Sequence, residues 1–277
     1  MRSFAGKVAA ITGAGSGIGR ALAVELAQRG CHLALSDVNE AGLGETVGLL
    51  ASSGVRVTHA RVDVADREAV FAWADVVARE HGKVNLIFNN AGVALGASIE
   101  DGRYEDLEWL MNINFWGVVH GTKAFLPHLK ATGDGHIVNT SSVFGLIAVP
   151  TQSAYNAAKF AVRGFTEALR MELELSPCGV SATSVHPGGI KTNISRSARQ
   201  DPSLAKLGID PATAGAKFEK SFITSAGDAA RIILRAVERD ERRVLVGPDA
   251  RVIDWLARSL PSAYQKIVMF WSRRTMS

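Results

Sequence analysis

The chain is poor in cysteine: among its 277 residues only Cys31 and Cys178 occur, far apart and outside any partnered motif. They offer no disulfide framework and no metal knuckle, and a reducing, cytoplasmic setting is the expectation. No cluster of His, Cys and carboxylates has metal-ligand spacing, so no metal is expected. No apolar run reaches the ~18 residues that cross a bilayer. Residues 1–7 lead straight into a predicted strand and lack the apolar stretch of a signal peptide. Charge imbalance is also lacking. Lys and Arg number 31 against 27 Asp and Glu, a net +4 that does not imply a nucleic-acid partner. The basic run Arg231, Arg235, Arg239, Arg242 and Arg243 reads as a solvated helix face. What is present is 47% hydrophobic residues, enough to bury the core of one large domain.

Short β-rich apolar runs alternate with helical patterns. Strands are predicted over 8–11, 32–36, 55–61, 86–89, 136–140, 180–185 and 243–246. Helices are predicted over 19–28, 66–80, 107–129 and 155–175. This rhythm predicts an α/β fold, a Rossmann-type doubly wound parallel sheet of about seven strands with helices on both faces. Neither a linker nor a repeat divides it, so residues 1–250 read as one domain. Two regions break the rhythm. Residues 188–225 are polar and weakly periodic, as functional loops and lids often are, with a clear helix only near Asp228. Residues 251–277 form two short amphipathic patterns split by Pro261, a helical extension of the domain.

The first predicted strand runs into Thr12-Gly13-Ala14-Gly15-Ser16-Gly17-Ile18-Gly19 and then a helix. Glycines let the backbone turn and approach a pyrophosphate, while the helix N-terminus offers free N–H groups. Ile18 stands where the third glycine of G-x-G-x-x-G would be, and T-G-x-x-x-G-x-G fits instead. Asp37 ends the second strand. Its carboxylate can accept hydrogen bonds from an adenosine ribose and would repel a 2′-phosphate. No Arg or Lys lies within 13–17 or at Val38 and Asn39, so NAD is preferred over NADP. Further on, Tyr155 and Lys159 are one helical turn apart and share a face. A cation there is expected to pull the tyrosine pKa down from ~10, making it a proton donor and acceptor.

With these motifs the chain resembles the short-chain dehydrogenases/reductases over residues 7–246. Asp63-Val64 matches the family's adenine-side aspartate. Asn89-Asn90-Ala91-Gly92 matches N-N-A-G, which borders the cofactor. Met111-Asn112-Ile113-Asn114-Phe115-Trp116-Gly117 resembles the segment of the active-site asparagine, and spacing selects Asn114 over Asn112. Ile137-Val138-Asn139-Thr140-Ser141-Ser142 resembles the serine strand, and the thirteen-residue gap to Tyr155 selects Ser142 over Ser141. Pro187-Gly188-Gly189-Ile190-Lys191-Thr192 matches P-G-x-I-x-T, whose backbone and threonine meet the nicotinamide carboxamide. The resemblance implies that Tyr155 exchanges the proton, Ser142 hydrogen-bonds the substrate oxygen, Lys159 holds the nicotinamide ribose and Asn114 positions a water. It also implies a homodimer or homotetramer built on the helices around 107–129 and 155–175.

The function expected is NAD-dependent interconversion of a secondary, moderately lipophilic alcohol and its ketone. A 3-ketoacyl reductase-like enzyme and an epimerase or dehydratase on the same scaffold are the alternatives. A silent dinucleotide-binding regulator is disfavoured, because Ser142, Tyr155 and Lys159 are all present. His186 is read as a strand-end polar residue, His120 as a packing or surface histidine, and Phe115 and Trp116 as ordinary helix residues. Val93, Ala94, Leu95, Val143, Phe144, Leu146, Ile147 and Val149 either line a lipophilic pocket or pack internally. In the tail, Ile253, Leu256 and Leu260 share a face, as do Tyr264, Ile267, Val268 and Trp271, among Arg251, Arg258, Lys266, Arg273 and Arg274. Packing on the protein or a neighbouring subunit is the favoured reading of that pattern, ahead of contact with a membrane surface.

Overall fold

The computed structural model describes residues 3–219 and 222–276. In chain order the elements are β1 (Val8–Thr12), α1 (Gly17–Gln28), β2 (His32–Asp37), α2 (Glu40–Leu49), β3 (Val57–Arg61), α3 (Arg67–His81), β4 (Leu86–Asn89) and the short β5 (Leu95–Gly96). Then come α4 (Tyr104–Met111), a π-helical turn (Asn112–Trp116), α5 (Gly117–Thr132), β6 (Gly135–Thr140), a 3₁₀ turn (Val143–Gly145), α6 (Ser153–Leu175) and β7 (Val180–Pro187). The rest comprises β8 (Ile190–Lys191), β9 (Arg199–Gln200), a second 3₁₀ segment (Pro202–Leu207), α7 (Pro211–Glu219), β10 (Thr224–Ser225), α8 (Ala226–Glu238), β11 (Arg243–Val246), α9 (Pro248–Ser259) and α10 (Tyr264–Met276).

Seven strands pair in the order β11-β7-β6-β4-β1-β2-β3. Every pair is parallel, with β1 in register against β2 (Ala10 opposite Ala34) and β4 (Ala10 opposite Ile87). β1 and β4 are buried end to end, as continuous apolar strands of a sheet covered on both faces must be. One face packs under α1 and α8 through Leu22, Leu26, Ile233 and Leu234. The other packs under α3, α5 and α6, where Trp73 meets Phe125 edge to face at 5.1 Å. The chain reverses its winding between β1 and β4. Open α/β sheets bind ligands outside the carboxyl ends of the strands at such a switch.

Three expectations differ from the observed elements. The helix predicted over 107–129 is broken into α4, the π turn and α5, and it runs from Tyr104 to Thr132. Helix α2 has no counterpart among the predicted helices. Gly42, Gly44 and Gly48 dilute its periodicity, yet Asn39 caps it by accepting from Gly42 N at 3.1 Å. Residues 188–225 carry structure despite their weak pattern. β8 pairs with β10, and β9 pairs with β5. Asp201 starts the second 3₁₀ segment by accepting from Ser203 N. Pairing with distant strands, invisible to local periodicity, orders this segment.

Candidate functional site

The end of β1 and the end of β4 are joined by one hydroxyl. Thr12 Oγ1 accepts from Asn90 N and Ala91 N, both at 3.0 Å, and Asn90 Nδ2 donates to Thr12 O at 3.1 Å. Between them the glycine loop is tight. A Cβ at Gly13 would stand 2.8 Å from Ala91 Cα, and one at Gly19 would stand 2.1 Å from Gly13 O. Ser16, which precedes α1, makes no side-chain cap bond, so the first-turn N–H groups face the groove without an internal acceptor. That groove has a volume of about 670 Å³ and is lined by Gly15, Ser16, Gly17, Asn39, Gly42 and Thr192, among others. Asp37, at the end of β2, holds the glycine loop from the sheet side. Its Oδ2 accepts from Gly15 N at 2.8 Å and its Oδ1 from Asn39 N at 2.9 Å. Arg20 also reaches the groove, but its guanidinium is engaged by Glu45 at 2.7 Å and Gly42 O at 3.1 Å. These free amides, the glycine cradle and the carboxylate fit a dinucleotide.

Asp63 and Val64 follow β3 and differ in exposure. Asp63 is exposed and accepts from Ala65 N at 2.9 Å. Val64 is buried, and its carbonyl meets His120 Nδ1 at 3.1 Å, which gives His120 a packing role. Gly117 lies so close that a Cβ there would be 2.7 Å from Val64 Cγ2.

At the carboxyl end of β6 the four remaining side chains converge. Asn114 is fully buried on the π turn, where its Oδ1 accepts from Val93 N and its Nδ2 donates to Val93 O, both at 2.8 Å. A π turn inserted in an α-helix re-aims the residues it carries and recurs at functional sites. Lys159, 3% exposed, donates from Nζ to Thr140 O at 3.0 Å. Gly92 separates the two. A Cβ on it would stand 3.2 Å from Asn114 Oδ1 and 3.6 Å from Lys159 Nζ. Ser142 shares a side-chain hydrogen bond with Tyr155 and accepts from Phe144 N at 3.1 Å. Ser141 instead donates to Lys159 O at 2.7 Å and is committed to the backbone. Pro187 ends β7 and Gly188, Ile190 and Thr192 follow it, with Thr192 against Gly17, whose Cβ would be 3.0 Å from Thr192 Cγ2. The structure therefore brings both groups of predicted residues to one end of the sheet.

The electrostatics depart from expectation in one respect. Burial pushes the Tyr155 hydroxyl up to about 12, opposed by its hydrogen bond to Ser142. Burial likewise pulls Lys159 down to about 8. The ammonium lies 5.6 Å from the Tyr155 ring centroid, and desolvation outweighs the direct help that helical spacing promised.

Several supporting residues carry little sequence signal. Asn156, next to Tyr155, donates to Phe144 O at 2.8 Å and Ile147 O at 3.0 Å, and accepts from Val149 N at 3.2 Å. It ties the loop after β6 to α6. His186 is wholly buried rather than a plain strand end. Its Nδ1 donates to Ser142 O at 3.1 Å, which leaves Nε2 to accept from Ser184 Oγ at 3.0 Å. Burial lowers its pKa to about 4 and keeps it neutral. Of the apolar candidates, Leu95, Val143, Leu146 and Ile147 are packed inside, while Val93, Ala94, Phe144 and Val149 keep partial access. In the tail, Tyr264 is buried, whereas Trp255, Phe270 and Trp271 are exposed. The side chain of Arg274 lies outside the described residues.

Comparison with known proteins agrees with this geometry. The model of the short chain dehydrogenase family matches residues 7–203. A protein of Mycobacterium tuberculosis named "Putative oxidoreductase SadH" is 52% identical over 269 residues, covering 97% of this chain and 96% of that protein. A short chain dehydrogenase/reductase from Burkholderia phymatum, solved in complex with NAD, superposes with a TM-score of 0.87 at 33% identity, over 96% of this chain and 97% of its own. A carveol dehydrogenase from Mycobacterium avium, also solved with NAD, gives a TM-score of 0.73 at 30% identity, over 84% of this chain and 91% of its own. The chain belongs to the short chain dehydrogenase family and is an oxidoreductase of that family.

Proposed function

We propose that the protein interconverts a secondary, moderately lipophilic alcohol and its ketone, using NAD. The observation that carries this reading is the Ser142–Tyr155 hydroxyl pair set beside buried Lys159, at the sheet end that also holds the glycine loop. NAD, when bound, takes up or supplies the hydride. In oxidation Tyr155 takes the alcohol proton, and in reduction it returns one to the ketone oxygen. Ser142 donates a hydrogen bond to the same oxygen and stabilises the charge that develops there. Lys159 holds the ribose hydroxyls and favours the phenolate, while Asn114, fixed by Val93, orders the polar path behind it. Asp37 accepts from the adenosine ribose. Arg20, the cation beside the glycine loop, is already engaged by Glu45 and Gly42 O, and the Asp37 carboxylate itself repels a 2′-phosphate. Asp63, Val64, Asn90, Ala91 and Gly92 border the adenine and nicotinamide halves, and Pro187, Gly188, Ile190 and Thr192 meet the carboxamide. The half-accessible Val93, Ala94, Phe144 and Val149 supply the apolar wall for the substrate.

A homodimer or homotetramer working in the cytoplasm is part of this reading. Trp116 and Phe160, 47% and 41% exposed, stand on the helices expected to pair. Light scattering of the eluted protein checks the assembly, and a monomer would refute it. The central test is a panel of secondary alcohols (cyclohexanol, 2-octanol, carveol) assayed with NAD and with NADP, following reduced-cofactor absorbance. NAD-linked oxidation that disappears in Tyr155→Phe, with NADH still bound, is the expected result. Comparable rates with both cofactors would overturn the role of Asp37. Conversion of an alcohol without absorbance change would replace this reading with an epimerase or dehydratase.

A further inference from the structure

The C-terminal helices grip two backbone loops at the site. In the first turn of α9, Asp249 Oδ2 accepts from Gly189 N at 2.6 Å, inside the segment that follows β7. Two glycines make room for this carboxylate. A Cβ on Gly188 would stand 2.2 Å from Asp249 Oδ2, and one on Gly247 would stand 2.5 Å from Oδ1. Asp249 Oδ1 is itself buried with no hydrogen-bond partner among the described residues. A half-buried carboxylate in a glycine cradle, aimed at a single loop amide, is an expensive arrangement for a helix start alone.

The second grip comes from α10. Tyr264 is 8% exposed, and its hydroxyl accepts from Ala148 N at 3.1 Å. Ala148 follows Ile147, whose carbonyl is held by Asn156 beside Tyr155. The loop between β6 and α6 is thus fixed from both sides, by Asn156 from α6 and by Tyr264 from the extension. Helix α9 also lies against the 3₁₀ turn that begins this loop.

We propose that Asp249 and Tyr264 are positioning residues of the active site, Asp249 for the nicotinamide-side loop and Tyr264 for the substrate-side loop. This rests on the oxidoreductase reading above. The two grips touch different loops, so their loss separates cofactor affinity from substrate affinity. A tail that only adds packing would lower stability and leave both affinities alone.

The test uses the full chain and three variants. NADH affinity is read by fluorescence titration, and KM is measured for the panel alcohol oxidised fastest at saturating NAD. Hydrogen exchange is followed on peptides covering 187–192 and 144–150. Asp249→Ala is expected to weaken NADH binding about tenfold, the scale of one charge-assisted hydrogen bond, and to speed exchange only in 187–192. Asp249→Asn keeps an acceptor and should stay within about threefold of the unmodified protein. Tyr264→Phe is expected to raise the alcohol KM about fivefold and to speed exchange only in 144–150, with NADH affinity within about twofold. Unsplit changes, or lower melting temperatures with both constants intact, would overturn the proposal. An unmodified protein that binds no NADH would instead sink the oxidoreductase reading.

Discussion

Helix α6 carries a buried cation near each end, and the two have opposite surroundings. Near its N-terminus Lys159 donates to a neutral carbonyl, Thr140 O, and among the described residues no carboxylate lies within ion-pair distance of it. Near its C-terminus Arg170 forms a fork with Asp240, both bonds at 2.9 Å, and also donates to Glu174 at 2.7 Å and Ala182 O at 3.2 Å. Asp240 in turn accepts from Ser181. Desolvation favours the neutral acid, yet hydrogen bonds from Ser181 and Arg170 hold the Asp240 carboxyl below its usual range. A cation neutralised within the protein serves the fold. A cation left without a counter-ion keeps its field for something else, and here it sits one turn from Tyr155.

That difference predicts opposite consequences for stability. Lys159→Met keeps volume and removes a charge that burial has pulled down to about 8. The desolvation relieved exceeds the one hydrogen bond lost to Thr140 O, so the variant should unfold about 1–2 kcal/mol harder in urea. Its turnover should fall at least ~10²-fold, the scale of lost acid–base assistance. This is the largest effect expected. A variant that is both less stable and fully active would erase the contrast between the two ends of the helix.

At the other end, Asp240→Ala leaves the Arg170 guanidinium, whose side chain is 10% exposed, without its fork. Removing one partner of a fully buried pair costs about 3–5 kcal/mol. The Asp240 side chain is 47% exposed, so solvent screening reduces this to about 2 kcal/mol. Urea unfolding measures the loss, and kcat should be unchanged. A matching loss of turnover would show that the two clusters communicate along α6.

The fold and the motifs of the candidate site are largely legible in the sequence. Alternating strand and helix patterns are local signals, and four of the motifs lie at strand ends, so a parallel sheet gathers Gly13, Asn90, Ser142 and Pro187 at the carboxyl end of its strands. Spacing selects Ser142 over Ser141, and the structure adds a physical reason, since Ser141 spends its hydroxyl on Lys159 O. What sequence did not convey depends on long-range contact. The π turn that buries Asn114 has no compositional mark. The grips of Asp249 and Tyr264 span sequence separations of 60 and 116 residues. The balance of influences on Tyr155 is not legible either, because spacing reveals a neighbouring charge but not the desolvation that competes with it.

Two buried histidines extend the comparison to pH, with the smallest expected effect. His136 lies at the amino end of β6, where Nε2 meets Thr183 Oγ1 at 2.8 Å, in the Arg170–Asp240 region. His186 lies at the opposite end of the sheet, behind Ser142. Burial lowers both from 6.5 to about 4. A histidine whose folded pKa is depressed adds no pH-dependent cost above its unfolded value. As pH falls from 6.5 towards 4 the unfolded chain takes up the proton first, and stability is lost. At pH 5.5, one unit below the unfolded value, each histidine should cost about 1 kcal/mol relative to pH 7.5. Replacing either by a neutral hydrogen-bonding residue, His136→Gln or His186→Asn, should remove its share of that slope. The two variants should differ in activity at pH 7.5. His136→Gln should keep full turnover, whereas His186→Asn should retain it only as far as its amide reproduces the donor to Ser142 O. Equal pH slopes in both variants and the unmodified protein would show that neither ring is held neutral by burial.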